Sequence, residues 1–508
     1  MELRRANPRR NVLRDKIGTF DFILGELLVT MYTSPPLLVT LLLPVLFGGC
    51  ASGSGVGGHD SAVARALVIQ SDAKPVAAGV TCVGNRCDIA LARYLTNGRP
   101  DASFGVDGKV VTHFAGSVPA ASSRTFAGSY ARSLVVQADG KLVVAGLVNR
   151  GNSSSVRPAW AIARYLPDGS LDDTFGSGGM VATEMAKSQT VYAAEPALAL
   201  QPDGKLVLAA YEPTGAKFSK EGTSFDEIGF VLIRYLPDGR LDGTFGKNGR
   251  ANTGFSGRFA YARALKVQPD GKLIAAGIAI FDGLDHFALA RYLADGSLDT
   301  SFGKDGTVTA VISYGESGKV IQSSQSRGAF DLDLEPGGSL ISCGASEGLK
   351  GRTVFALARF LQDGSLDRSF GKGGTVATDF GNGGIAFAIA RHRDGKVVVA
   401  GTTGIADLGR TGGEWPCEKF ALARYLPNGD LDRSFGADGK SIGDQCGRPM
   451  AVRVQSDGTF IVAGRTIISE RTTFTLARYF SDGRLDAAFG VGGKVTTDFA
   501  GTRADIRQ

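Results

Sequence analysis

The 508-residue chain carries 56 Lys and Arg against 50 Asp and Glu, a net charge of +6, of which +2 falls in the first fifty residues. The remainder is close to neutral and has no basic block interleaved with aromatics, which argues against nucleic acid as a partner. The 71 Gly recur mostly at fixed intervals, so they belong to turns and not to a disordered or collagen-like chain.

From Pro35 to Phe47 runs an apolar stretch of 13 residues, followed by Gly48-Gly49-Cys50-Ala51-Ser52. That length suits the core of a signal peptide and is short for the ~20 residues of a membrane-spanning helix. Small residues before a Cys resemble the lipobox of bacterial lipoproteins, which implies lipidation at Cys50; Phe47 stands where that family carries Leu. A plain secretory signal or an uncleaved anchor are the alternatives, and all three imply export. Residues 1–49 are therefore read as a targeting segment, and 50–60 as the lipidated Cys with a Gly/Ser-rich tether.

The next feature is a repeat. Phe-Ala-Leu-Ala-Arg-Tyr-Leu-Ala-Asp-Gly-Ser-Leu-Asp-Thr-Ser-Phe-Gly (residues 287–303) has seven versions, with the Arg at 93, 164, 234, 291, 359, 424 and 478, spaced 54 to 71 residues apart. Each Arg is followed by Gly five positions on, Asp eight on and Phe eleven on. A period of this kind defines a repeat architecture.

Within each repeat four short apolar runs, bounded by Asp-Gly, Asn-Gly or Gly-Gly, read as strands a to d. In the second copy they are 131–137, 141–146, 160–166 and 179–183. The a–b joint (Gln137-Ala138-Asp139-Gly140-Lys141) and the c–d joint (Pro167-Asp168-Gly169) keep nearly constant length in all copies, as tight turns require. The b–c and d–a connections vary, as at 147–159, 211–229 and 402–419. One face is therefore uniform and the opposite face individual.

The expected fold is all-β, a seven-bladed β-propeller of four-stranded antiparallel blades, occupying 61–501 with a tail at 502–508. The blades are placed at about 62–115, 129–184, 194–253, 260–311, 327–380, 384–443 and 449–500. These hold whole repeats with no strand to exchange between first and last, so closure must come from packing between blades.

The run Ala-Arg-Tyr-Leu-x-Asp-Gly-x-Leu-Asp-x-Ser/Thr-Phe-Gly, followed by Gly-x-Val and Gln-x-Asp-Gly-Lys-Leu-Val-Val-Ala-Gly, resembles the delta-60 repeat of bacterial surface proteins over residues 62–500. It resembles NHL and gluconolactonase-type propellers more loosely. The first resemblance implies an extracytoplasmic propeller without assigned chemistry. The second implies a fold, which does not carry function.

The arginine–aspartate repeats (Arg93 and Asp101, Arg164 and Asp172, Arg234 and Asp242, Arg291 and Asp299, Arg359 and Asp367, Arg424 and Asp432, Arg478 and Asp486) are read as one structural pair made seven times in the packing between blades, because a buried charge needs a partner. The Asp-Gly-x-Leu-Asp turns lack the alternating oxygen ligands of a calcium loop. No Cys–His nucleophile stands out, so no catalytic residue is assigned. The a strands, which would line the channel, read as mostly Ala, Leu, Val and one Arg. Asp331, Asp333 and Glu335 depart from that pattern and are weak metal candidates beside the reading of simple drift. No cofactor is expected.

Of six Cys, Cys82 and Cys87 bracket a short loop, and Cys417 and Cys446 fall in neighbouring variable connections. Both pairs are disulfide candidates in an exported chain, with Cys343 left as a buried thiol. Zinc is disfavoured by the spacing and by the scatter of His59, His113, His286 and His392. Tyr192, Tyr211, Tyr314 and Trp415 fall in variable connections and are candidate binding-face residues, with packing over the sheet edges as the alternative.

The expected function is a monomeric, envelope-anchored binding or scaffolding module for a protein or glycan, touching the membrane through its N-terminal lipid. The alternative is a channel-centred, metal-dependent hydrolase or lyase of the gluconolactonase-like type. Metabolic labelling with a fatty acid in a bacterial host checks the anchor: wild type should be labelled and Cys50→Ala should not, whereas equal labelling of both would remove Cys50 from this role.

Overall fold

A computed structural model describes residues 61–502, apart from 85, 115–116, 118–127, 153–154, 186–194, 221–222, 256–258, 282–283, 313–327, 349–351, 405–416, 470 and 501. Cys50, Tyr192, Tyr314 and Trp415 lie outside the described residues.

The described residues form antiparallel four-stranded meanders that follow the repeat. The first is Ser61–Ile69, Pro75–Val83, Arg86–Arg93 and Lys109–Thr112, hydrogen-bonded in chain order. The pattern recurs from Ser129, Ala197, Phe259, Gly328 and Gly384. The sixth and seventh meanders share one long strand, Lys440–Val454, which pairs with Lys419–Tyr425 at one end and Phe460–Ile468 at the other. Second and third strands are apolar on both faces, because each sheet is covered by its neighbours on either side. This is a β-propeller.

Two variable connections differ from the expectation of loops. Residues 211–229 continue the sheet as a hairpin, with Leu206–Lys220 paired to Thr223–Tyr235 through to Lys220↔Thr223. Residues 147–159 do the same, with pairing out to Asn152↔Ser155. Their many polar residues hide the strand signal, since they leave no apolar alternation to read. Cys446 likewise lies on a strand, not in a loop.

A latch made by the repeat's own signature residues joins each unit to the next. In the first unit Arg93 Nε donates to Asp101 at 2.9 Å, Nη2 to Ser103 Oγ at 2.9 Å, and Nη1 to the carbonyl of Pro167 in the second unit's c–d turn. The guanidinium lies over the Phe104 ring, 4.7 Å from its centre. The same Nη1 bond crosses to Pro237, Ala294, Gln362, Pro427 and Ser481 at the following seams, and Arg478 returns to Thr96 of the first unit. The acid of each pair thus belongs to the arginine's own unit, and only the arginine reaches across.

The pair is made at all seven places, and what surrounds it differs from unit to unit. Asp101, Asp172, Asp242, Asp299 and Asp432 each also take a Lys from the a–b joint of their own unit, at 3.0 to 3.6 Å. Asp367 pairs with Arg359 at 2.7 Å and takes the Ser369 hydroxyl, but Ser339 stands where the others carry that Lys. Asp486 departs furthest. It accepts from Arg478 Nε at 2.7 Å and from the Ala488 N–H at 3.0 Å, yet Ala488 supplies no hydroxyl and Thr459 replaces the Lys. Asp486 therefore rests on Arg478 more completely than any other latch acid does on its arginine.

Beside each arginine a backbone bond runs from the Gly after the latch Phe to the turn Asp or Asn of the next unit, as in Gly105→Asp168 and, closing the ring, Gly490→Asn97. The turn glycine must be glycine. Gly98 has φ +86°, and a Cβ there would sit 2.8 Å from Gly490 N and 3.0 Å from the Phe489 ring.

Tyrosine hydroxyls add a bond in the opposite direction, Tyr165 to Thr112, Tyr235 to Thr183, Tyr292 to Thr253 and Tyr425 to Thr378, all at 2.8 Å, with Tyr94 to Thr497 across the closing seam. The fifth unit has Phe360 in place of the Tyr and the fourth Ala310 in place of the Thr, so both halves of that bond are missing together, and the sixth carries Gly443 at the Thr position facing the Tyr479 seam. Closure therefore uses the same contacts as the interior seams. A shared core of Leu67, Ala77, Ile461, Phe474 and Phe489 lies under it.

Where the hydroxyl and the Lys are both present, the latch carboxylate is held ionised. Burial alone would raise Asp172, but the Thr174 hydroxyl and N–H, Lys141 at 3.2 Å and Arg164 outweigh it and hold the acid at about 2. Asp101, Asp299 and Asp432 are lowered in the same way, against burial, by a turn Ser, a Lys and the latch Arg. A depressed carboxylate stabilises the fold above its unfolded value of ~3.9 and loses that contribution as pH falls through the folded value. Chemical denaturation should therefore show little change from pH 7 to 5 and a steep loss of stability between pH ~4 and ~2. At one seam, Asp299→Leu should cost about 3 to 5 kcal/mol by stranding Arg291, and Arg291→Met with Asp299→Leu should cost much less. A double-mutant cycle with no coupling would show that this pair contributes nothing to the seam.

Candidate functional site

Three regions come into question: the variable connections, the cysteine pairs and the central channel. On the variable face, Tyr211 is 4% exposed, not free for a partner. Its ring stands edge-on to Trp160 at 6.1 Å and to Tyr261 at 5.2 Å. The next residue, Glu212, accepts from Trp160 Nε1 at 3.1 Å and from Arg250 Nη1 at 2.5 Å. The base of this arm is thus a packed joint between units, which corrects the reading of Tyr211 as a contact residue.

Both expected disulfides are formed. Cys82–Cys87 bridges adjacent strands with Cα atoms 4.1 Å apart, and Cys417–Cys446 ties the start of the sixth unit's third strand to the shared long strand at 5.0 Å. Cys343 is fully buried, and burial pushes its thiol well up.

The weak metal candidates are otherwise engaged. Asp333 pairs with Arg391 at 2.9 Å and Glu335 with the same Arg at 3.3 Å, while Asp331 accepts the N–H of Ile389 at 3.1 Å. These acids join the fifth unit to the sixth. Among the described residues no three His, Cys, Asp or Glu stand together as metal ligands would. Asp88, His113 and Ser117 make an acid–histidine–hydroxyl group, with Asp88 2.8 Å from Nδ1. Ser117 Oγ, however, lies 3.3 Å from both ring nitrogens and so is aimed at neither, as a proton transfer would need.

The channel is where the strands diverge most. Six of the first strands carry a β-bulge at the same place: between Ala64 and Ala66, Ala131 and Ser133, Ala262 and Ala264, Ala329 and Asp331, Ala386 and Ala388, and Pro449 and Ala451. A bulge turns its extra residue out of the ladder. The residues so placed are Arg65, Arg132, Arg263, Phe330, Phe387 and Met450, with Pro196 at the matching place in the third unit, and all line a cavity of about 320 Å³. Three channel arginines thus stand where one was expected, because the bulge breaks the alternation from which strand faces are read.

Glu195, just before the third unit's first strand, lies 3.5 Å from Arg65 Nη1 and 3.6 Å from Arg132 Nε. Burial would raise this acid, but Arg132, Arg263, Arg65 and Arg448 together hold it below the ordinary carboxylate range. The recoverable signal is positional: five residues before the first residue of the a–b joint the copies read Arg, Arg, Pro, Arg, Phe, Phe and Met in chain order.

The fold and its seams define the chain as a propeller of four-stranded repeats. A family model described as a domain of unknown function (DUF5122) beta-propeller matches residues 137–175, 268–302, 338–370, 418–435 and 455–489, and the delta-60 repeat is of this type, so the chain carries repeats of that family. The matched segments reach to the latch Phe of their units, four of them starting in or beside the a–b joint.

No curated protein matches the chain. Among solved structures, the polysaccharide lyase Uly1 is 13% identical, with 85% of this chain and 91% of that one covered and a TM-score of 0.47. A PL25 ulvan lyase is 9% identical over 74% and 84%, with a TM-score of 0.42. Sqt1 of Chaetomium thermophilum, bound to the N-terminus of ribosomal protein L10, is 12% identical over 84% and 86%, with a TM-score of 0.41. Likeness at this level concerns fold alone.

The cysteine state is directly measurable. Of the five cysteines after Cys50, a thiol reagent should find none reactive in the native protein and one, Cys343, after unfolding without reductant. Five reactive thiols on unfolding would contradict the two bridges.

Proposed function

We propose that this chain is a seven-bladed propeller, exported by its N-terminal segment and lipid-anchored at Cys50 to the bacterial outer membrane or cell surface, that binds a protein or glycan through its variable-connection face. The supporting observation is how the two faces are used. On the uniform face the c–d turns are consumed by the seams, each giving one carbonyl to an arginine and the next to a glycine N–H. That face is not free to change without loosening the ring. Opposite it the connections vary in length and include a paired arm reaching Lys220 and Thr223, so contacts can differ there while the frame stays fixed. The two disulfides agree with an oxidising compartment.

In this reading the molecule is a monomer that touches the membrane only through its lipid and does not bind nucleic acid. The alternative, a channel-centred metal-dependent hydrolase or lyase, has a cavity to occupy. Two of its carboxylate candidates, Asp333 and Glu335, however, hold Arg391, and the cavity wall carries several arginines beside the single carboxylate of Asp331.

The test is a pull-down from envelope extract with wild type, an arm shortened beyond the Thr214–Glu227 contact, a deletion of 405–416, and an Asp139→Ala turn control. Shortening must begin beyond that contact because Tyr211 and Glu212 are packed. Loop length itself costs little, so the shortened variants should keep near wild-type unfolding midpoints and lose captured partners. Full retention by both shortened forms would move recognition elsewhere.

A further inference from the structure

The bulge ring repeats in backbone and not in chemistry. Arg65, Arg132 and Arg263 come from the first, second and fourth units, with Glu195 between them from the third. Phe330, Phe387 and Met450 occupy the same place in the fifth, sixth and seventh. Since three units accept apolar residues there, the fold does not demand a cation at that point.

Three guanidiniums face the Glu195 carboxylate, at 3.5 and 3.6 Å from the two nearest, which is longer than the ~2.7–2.9 Å of a charge-assisted hydrogen bond. Arg448 does not share this deficit, because Glu418 takes it with bonds of 2.6 and 2.9 Å. Arg65 is 7% exposed, and its Nε donates to nothing. Its guanidinium lies 5.3 Å from the centre of Tyr130. Burying surplus charge with unused donors is costly unless an anion completes it.

The rest of the wall adds Lys266 and Arg453 against Asp331, and Asp285, outside the wall, acts electrostatically on Arg263. Arg65, Arg132, Arg263, Lys266 and Arg453 set against Glu195, Asp331 and Asp285 leave the cavity cationic by two charges. Opposite the arginines, Phe330 and Phe387 meet edge-to-face at 5.2 Å, and Arg263 lies 4.3 Å from the Phe330 ring centre, where cationic and apolar halves join. The volume of about 320 Å³ is at the lower end for small-molecule sites.

We propose that the central channel binds a small organic anion, its carboxylate, phosphate or sulfate head on Arg65, Arg132 and Arg263 and its apolar body against Phe330, Phe387 and Met450. Its arginines lie on first strands and not in the variable connections, one of which ends at Glu195. Its surplus of positive charge favours a doubly charged head over a single one.

Thermal unfolding and calorimetry with inorganic phosphate and with phenyl phosphate, against sodium chloride at matched ionic strength, test the site. Both anions should raise the melting temperature above the chloride control, and phenyl phosphate should bind roughly tenfold tighter because its ring is buried. Arg132→Gln should weaken both by about tenfold or more. Phe387→Ala should remove the phenyl preference while keeping phosphate.

Glu195→Gln gives the opposite sign: lower stability without ligand and tighter anion binding. It decides the matter if Arg132→Gln does not fold. Absence of any anion-specific rise, an unchanged response in Arg132→Gln, or weaker binding in Glu195→Gln would overturn the proposal. Loss of envelope partners by the arm-shortened forms would leave these responses intact, so this site and the variable-face reading fail separately.

Discussion

The structure depends on one buried guanidinium repeated around the ring. An arginine placed between two sheets must satisfy its donors, and here it does so with an acid, in all but the last unit a hydroxyl of its own unit, and a carbonyl of the next. Such pairs add little net stability over an apolar contact, since desolvation offsets most of the Coulomb gain. Their geometry does more. The planar fork fixes where the following turn sits, and the Phe beneath and the glycine N–H beside it repeat the constraint. The seam is thus defined by orientation as well as by buried area.

That explains which parts of the molecule could be read from the chain. Arg291, Asp299, Phe302 and Gly303 belong to one contact, so their spacing survives every insertion elsewhere and shows plainly in the sequence. The pairing of Arg478 with Asp486 was legible in the same way, while the thinner shell of Asp486 was not, because Ala488 and Thr459 mean nothing until the fold brings them beside the acid. The constant Asp-Gly turns were legible because they are held by two neighbours at once. The hairpin arm at 211–229 was not, because its run of polar residues offers no period of two to read. Tyr211 and Glu212 looked like loop residues for the same reason, though both are buried at the arm's base.

The channel shows a different kind of concealment. Its arginines sit on strands whose alternation was visible, but a bulge between Ala64 and Ala66 and at the matching places rotates one residue out of phase. A pattern of period two cannot place such a residue. Comparing the copies column by column does, because the bulge position varies in chemistry while most of its flanking residues are Ala. Repetition fixes the frame, and departures from it mark the candidate sites: the bulge ring inside and the unequal connections outside.

The central claim is that the last unit locks to the first through the same arginine and glycine contacts as an interior seam. Amide hydrogen exchange tests this at single residues. The Gly490 N–H donates to Asn97, and the Gly371 N–H donates to Asn428 in the interior. If the ring is closed by this latch, Gly490 should exchange as slowly as Gly371 under native conditions. Rapid exchange at Gly490 beside a protected Gly371 would mean that the ring is not held shut in this way.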